Sequence, residues 1–184
     1  MSKDSIERGL QNLNIDIEFD YDRFEEFYNI LIEGNKKTDL TTIVEREEVD
    51  IKHFLDSMTA FKIPEFHDKK KLIDIGTGAG FPAIPLKLVN PSLDITLLDG
   101  LNKRLIFLEE VIKKMNLENI KTFHSRGEDA GRDKKHREKY DIAVSRAVSR
   151  LNKLVEISLP LVKVGGIFVA MKGVNVKEEL EEGK

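Results

Sequence analysis

The 184-residue chain contains no cysteine. That excludes a disulfide framework, a thiolate metal site and a cysteine nucleophile. Long apolar runs are also missing, and nothing approaches the roughly 18–20 residues needed to span a bilayer. The opening Met1-Ser2-Lys3-Asp4-Ser5 lacks the apolar core of a signal peptide. A cytoplasmic protein without a membrane partner is therefore expected. Histidine is scarce, and His67, His124 and His136 show no metal-ligand spacing, so no metal is expected. Charge of one sign is lacking too, the net value being only −3. It is unevenly spread: residues 1–33 hold nine acids against three bases, which leaves +3 on residues 34–184. The runs Lys69-Lys70-Lys71 and Arg132 to Lys139 read first as solvated loops, with a face turned to a phosphate backbone as the alternative.

What is present, 40% hydrophobic and 34% charged residues, suits a globular domain with an appendage. Phe24, Phe27, Tyr28 and Leu31 form a helical stripe, and Ile51, Phe54, Leu55 and Met58 repeat the spacing over residues 47–61. Residues 1–65 thus read as a helical extension and residues 66–184 as the main domain, the two packed as one unit. After Pro64 short apolar runs alternate with amphipathic segments. Strands are expected at Lys71–Ile75, Ile95–Leu98, Ile120–His124, Asp141–Ser145 and Gly166–Met171. Helices are expected at Pro82–Val89, Lys103–Met115 and Asn152–Leu161. The alternation predicts a Rossmann-like α/β fold, a doubly wound and mostly parallel sheet with helices on both faces.

The sharpest motif runs Asp74-Ile75-Gly76-Thr77-Gly78-Ala79-Gly80-Phe81-Pro82, after a strand and before a helix. Gly76 and Gly78 permit a tight turn and the close approach of a ligand to the backbone. A dinucleotide fingerprint needs its third glycine where Phe81 stands. Asp74 would oppose a pyrophosphate but suit a cation, as in S-adenosyl-L-methionine, which carries an ammonium and a sulfonium and no phosphate. Asp99, ending the second strand, is placed to accept from an adenosine ribose, in either ligand class. The plainer alternatives are a capping or lysine-paired Asp74 and an Asp99 that begins a turn with Gly100.

The loop resembles the first motif of class I methyltransferases. A wider set resembles the glucose-inhibited division protein B family, which methylates N7 of a guanine in 16S ribosomal RNA. That set comprises Asn35-Lys36-Lys37 with Leu40-Thr41, His53-Phe54-Leu55-Asp56-Ser57, Asp74 to Pro85, and Leu98-Asp99 with Asn102-Lys103-Arg104. It continues through Arg126-Gly127-Glu128-Asp129, Ser145-Arg146-Ala147 and Met171-Lys172-Gly173, covering about residues 24 to 180. The resemblance implies S-adenosyl-L-methionine as cofactor and 16S ribosomal RNA or a small-subunit precursor as partner; a monomer is expected. Gly76 and Phe81 would line the methionine and adenosine side, Asp99 would hold the ribose, and Gly127 and Glu128 would bracket the adenine. Arg146 would face the methyl donor. Gly127 stands where the family more often has alanine, an exchange expected to be harmless. The family chain also runs on past Lys184 into a final strand pair, so Ile167-Phe168-Val169-Ala170 is expected as an exposed apolar edge.

The chemistry is compatible with this. Guanine N7 carries a free lone pair and loses no proton before attack, which suits a chain with no obvious general base. Pyrimidine C5 methylation would want a cysteine. Exocyclic amine methylation often uses an Asn/Asp-Pro-Pro-aromatic stretch where this chain has Ser145-Arg146-Ala147-Val148. Arg146 suits the guanine O6 edge, or else pairs with Glu128 or Asp129. Lys172 is a candidate phosphate contact or an ordinary solvated lysine. His53 and Asp56, three apart on one helical face, read as a structural pair. The rival functions are a class I methyltransferase acting on a small molecule or protein, and a non-catalytic nucleotide-binding RNA assembly factor.

Overall fold

The computed structural model describes residues 3–146 and 149–173. Ala147 of the Ser-Arg-Ala element, and the resemblance beyond Gly173, lie outside them. The chain opens with α1 (Lys3–Asn12) and α2 (Tyr21–Asn35), the latter capped by Asp20, whose side chain accepts from the Asp22 N–H. A connector leads to α3 (Arg46–Val49), which passes through a π-helical stretch (Asp50–Leu55) into α4 (Asp56–Met58). Two 3₁₀ turns follow, and strand–helix alternation begins. The order is β1 (Lys71–Ile75), α5 (Ala83–Val89), β2 (Asp94–Asp99), α6 (Asn102–Lys114), β3 (Ile120–His124), α7 (Gly127–Ala130), β4 (Tyr140–Arg146), α8 (Leu151–Ser158) and β5 (Val162–Met171).

Each expected strand is present within a few residues. All described pairings are parallel, and the order is β3-β2-β1-β4-β5. The order reverses between β1 and β4. At such a switch point the loops leaving neighbouring strands diverge to opposite faces and open a crevice at the carboxyl ends. Alternate residues point to opposite faces. Leu72, Ile95, Leu97, Ile142 and Val144 pack under α2, α5, α6 and the N-terminal helices, while Ile73, Ile75, Leu98 and Ala143 join Ala130 and Leu161 on the other side. The first cluster also takes in Phe24, Phe27 and Phe54, so the N-terminal helices share a core with the sheet. At the outermost strand, β5, Ile167 to Ala170 are partly covered rather than bare, with Ile167 and Val169 on one face and Phe168 on the other.

Two local features depart from the expectations. Helix α1 buries Ile6 and Leu10, with Leu13 packed against the same core; that spacing was present in the sequence and not read as an element. The stripe over residues 47–61 is rotated. Ile51 is 49% exposed, whereas Val49, Asp50, His53, Phe54, Ser57 and Met58 are buried. The cause is the π-helical stretch. Hydrogen bonds from i to i+5 widen the turn and break the 3.6-residue period, so Ile51 swings outward and His53 inward.

Candidate functional site

The switch point holds a cavity of about 530 Å³ at the carboxyl ends of β1, β2 and β4. Of the glycine loop, Gly76 lines it and Gly78, against expectation, does not; the two have φ of 70° and 60°, a region L side chains rarely enter. A Cβ placed at Gly78 would meet nothing nearer than the Gly76 carbonyl at 4.0 Å, so the space above the loop is open. Gly80 has a different purpose. A Cβ there would lie 2.5 Å from Ile84 and 2.9 Å from Leu108, so this glycine lets the loop pack against α5 and α6.

Asp99 forms one wall and is only 4% exposed. Its Oδ1 accepts from the Leu101 N–H at 2.8 Å, and its Oδ2 accepts from the Gly78 N–H at 3.0 Å and from Arg104 at 3.4 Å. It therefore begins the turn into α6 and also locks the glycine loop to β2. Each carboxylate oxygen offers two lone pairs, so Oδ2 is saturated and one acceptor site remains, on Oδ1. Gly127, Glu128 and Arg146 line the same cavity, and Ile157 and Leu154 of α8 close its apolar side. The sequence reading assigned no cavity role to Arg104, Arg126 or Lys153, which also line it. With Arg146 they set four cations against the carboxylates of Asp99 and Glu128. Arg104 Nε is buried without a hydrogen-bond partner among the described residues. Its place in the first turn of α6, directly after the strand-two acid, was the available signal.

Several expectations need correcting. Phe81 does not line this cavity. Its ring is 5% exposed and packs among Phe27, Phe54 and His53, the last stacked at 4.3 Å. The loop turns at Gly80 and drives the side chain under the N-terminal helices. Asp74 is wholly buried and absent from the cavity walls, so it offers no surface to a cation. Burial pushes its carboxyl up to about 7, against the Thr77 hydroxyl (2.7 Å) and the Ala83 N–H, which favour the charged form. Its Oδ1 has no partner among the described residues. Gly127 is not indifferent to alanine, because an added Cβ would fall 2.2 Å from Ile157 Cγ2.

Arg146, at the end of β4, pairs with neither Glu128 nor Asp129. Its Nη1 donates to the Lys52 carbonyl at 3.0 Å and to Asp56 at 2.9 Å, its Nη2 lies 3.1 Å from His53 Nδ1, and its guanidinium rests 5.1 Å over the Phe81 ring. Nδ1 also lies 3.2 Å from the Lys52 carbonyl, and Nε2 3.0 Å from Thr41 Oγ1, so the guanidinium asks Nδ1 to accept while the carbonyl asks it to donate. Burial, then the Arg146 charge, lowers the His53 pKa to about 4. His53 and Asp56 thus meet through Arg146, not through each other. The π-helical stretch supplies two of the three groups that hold it. Lys172 donates to the Ser149 carbonyl and borders a second cavity, which Arg146 also borders. Among the described residues no group of three or more acids, histidines and cysteines is placed to hold a metal, and no helix is long and apolar enough to cross a membrane.

Comparison with known proteins agrees with this architecture. A S-adenosylmethionine-dependent methyltransferase from Aquifex aeolicus superposes with a TM-score of 0.55 at 19% identity, over 83% of this chain and 87% of its own. At that identity the likeness concerns the fold, a Rossmann-like class I methyltransferase fold. Ribosomal RNA small subunit methyltransferase G of Desulforamulus reducens is 52% identical over 159 residues, 86% of this chain and 66% of its own length. The protein of the same name from Alkaliphilus oremlandii is 48% identical over 99% of this chain and 77% of its own. The chain thus spans about two thirds to three quarters of these curated relatives. A profile described as rRNA small subunit methyltransferase G (GidB) matches residues 20–184. With the glycine loop, the β2 acid and the β4 arginine gathered at one switch point, and relatives near half identity along most of its length, the chain belongs to the small-subunit rRNA methyltransferase G family.

Proposed function

We propose that the chain binds S-adenosyl-L-methionine in the 530 Å³ cavity and methylates N7 of a guanine in 16S ribosomal RNA, free or in a small-subunit precursor. The observation that carries the reading is this cavity, at the switch point of a parallel sheet and lined by Gly76 of the glycine turn. The residues fit the adenosine part of the cofactor, and the cations around it suit its carboxylate rather than its ammonium and sulfonium. Asp99 Oδ1 would accept from a ribose hydroxyl, and Gly76 would give the ligand backbone to lie against. Gly127 and Glu128 would meet the adenine, with Ile157 and Leu154 as its apolar cover.

Bound there, S-adenosyl-L-methionine supplies an electrophilic methyl group whose sulfur departs with the bonding pair. Guanine N7 attacks with a lone pair and releases no proton. The chain's task is then alignment and exclusion of water, and proximity alone contributes roughly 7–11 kcal/mol in well-oriented reactions. Among the described residues near Arg146, His53 Nδ1 and Asp56 are both engaged by the guanidinium and Asp74 is sealed inside. Arg146 has two nitrogens committed to the N-terminal helices, which fixes its plane and leaves Nε to approach a guanine O6. A ribosomal RNA substrate carries with it a cytoplasmic location.

Two measurements test the proposal. Calorimetry is expected to show binding of S-adenosylmethionine and none of NAD. Primer extension after cleavage at N7-methylguanine is expected to lose one stop in 16S RNA when the gene is removed. An unchanged stop pattern, or heat with NAD alone, rejects it.

A further inference from the structure

We infer that the second cavity, about 490 Å³, receives the target guanine as an unstacked base. The inference rests on the proposed function and assigns the acceptor side of the same site. Donor and acceptor atoms must come within bonding reach, so their pockets must adjoin. Arg146 lines both cavities and is the one side chain the two share among the described residues.

The walls have the chemistry of a base slot. Ile43 comes from the connector, Ile51 from the π-helical stretch and Met171 from the end of β5. Enzymes that act on a base take it from its stack and hold it between aromatic or apolar side chains. Ile51 is 49% exposed although its helix had buried positions to offer, because the irregular turn aims it into this space. A π-helical turn spent on exposing an isoleucine and burying His53 beside Arg146 makes sense where something apolar and flat comes to cover the isoleucine. The polar border is cationic. Lys52 and Lys172 flank the opening, and the one carboxylate there among the described residues, Asp56, is neutralised by Arg146 at 2.9 Å. Lys52 also pairs with Glu48 on the exposed side of the helix. That charge suits the phosphates on either side of an extruded nucleotide.

The test uses two variants at Ile51, whose exposure makes it tolerant of change. With undermethylated small-subunit RNA and labelled donor, I51E should lower kcat/KM for RNA by roughly tenfold or more, the scale of one isoleucine no longer buried against the base. Its donor affinity, by calorimetry, should stay within about twofold of the parent, since Ile51 lines only the second cavity. The chain has no tryptophan, so Ile51→Trp creates a single fluorophore in the slot. Its emission should be quenched when RNA with the unmodified guanine is added, and less by RNA already methylated. A parent protein that transfers no methyl group to this RNA overturns the functional reading and this inference with it. A parent that is active while I51E matches it, or a tryptophan indifferent to RNA, overturns the base slot alone and assigns the cavity to another occupant.

Discussion

Replacing Gly127 by alanine is the most demanding test of how the donor cavity is built. The backbone there does not have the positive φ of the loop glycines, so the substitution meets no conformational penalty. The cost is steric. The new Cβ would lie 2.2 Å from Ile157 Cγ2, far inside contact distance. Ile157 is β-branched and sits in α8, where such residues hold one strongly preferred rotamer. Its methyl cannot swing aside, so α7 and α8 must separate by a sizeable fraction of the overlap. Overpacking of this kind costs about 1–3 kcal/mol. At this chain length each kcal/mol lowers Tm by roughly 2–4 °C. Because Ile157 also lines the cavity, donor affinity should fall with stability. Ile157→Ala leaves a gap and destabilises by itself, but it removes the obstructing methyl. The double variant should therefore be more stable than the sum of the two single costs by ~1 kcal/mol or more. Urea unfolding followed by far-UV dichroism measures the cycle. If the costs are additive, or the alanine variant is as stable as the parent, the packing argument is wrong.

Two buried groups should give the stability curve an unusual shape. His53 titrates near 4 in the fold against 6.5 in the unfolded chain, so its contribution is present above 6.5 and lost as pH falls toward 4. Asp74 titrates near 7 against 3.8, so its contribution is present below 3.8 and lost as pH rises through 7. Between about 4 and 6.5 the slopes oppose. His53→Gln should make urea stability fall with rising pH in that window and Asp74→Asn should make it rise; parallel curves for both would refute the assignment. Asp99→Ala should weaken donor binding and also destabilise the fold by about 1.5–3 kcal/mol, because the carboxylate receives the Gly78 and Leu101 N–H groups; calorimetry with unfolding separates the effects, and an unaltered Tm would contradict the second. Lys153→Gln, an exposed cation at the cavity rim, should reduce the slope of log affinity for RNA against log salt by about 1, in filter binding at several salt concentrations. An unchanged slope would remove it from the RNA face.

The sheet was legible because its signals are local. Strands such as Leu72-Ile73 and Ile95 to Leu98 are apolar on both faces, and the glycine loop carries its turn chemistry within nine residues. The tips of β2 and β4 were readable for the same reason, since a strand end is fixed by the run that precedes it. Long-range partnerships were less so. Nothing in the chain announces that Arg146 reaches Asp56, 90 positions earlier, when Glu128 and Asp129 lie closer in sequence. Ile51 was misplaced because a helical wheel assumes one period, and six residues of wider turn break it. Phe81 was drawn to the cavity by the motif it belongs to, although the turn at Gly80 sends its ring to the opposite side of the loop. Gly127 looked interchangeable with alanine because the obstacle, Ile157, comes from a different helix.

The Phe81 ring has a consequence of its own. It is covalently part of the turn beneath the donor, yet its faces are in contact with the histidine and the guanidinium that border the second cavity. A methyl donor settling on this turn would also settle the aromatic plate beneath the arginine, and RNA held by the arginine would press back on the turn. Linkage requires any such influence to be mutual: the factor by which the small ligand sharpens affinity for the large one equals the factor returned. On the proposed reading the two substrates would be linked through this ring as well as through Arg146, which borders both cavities.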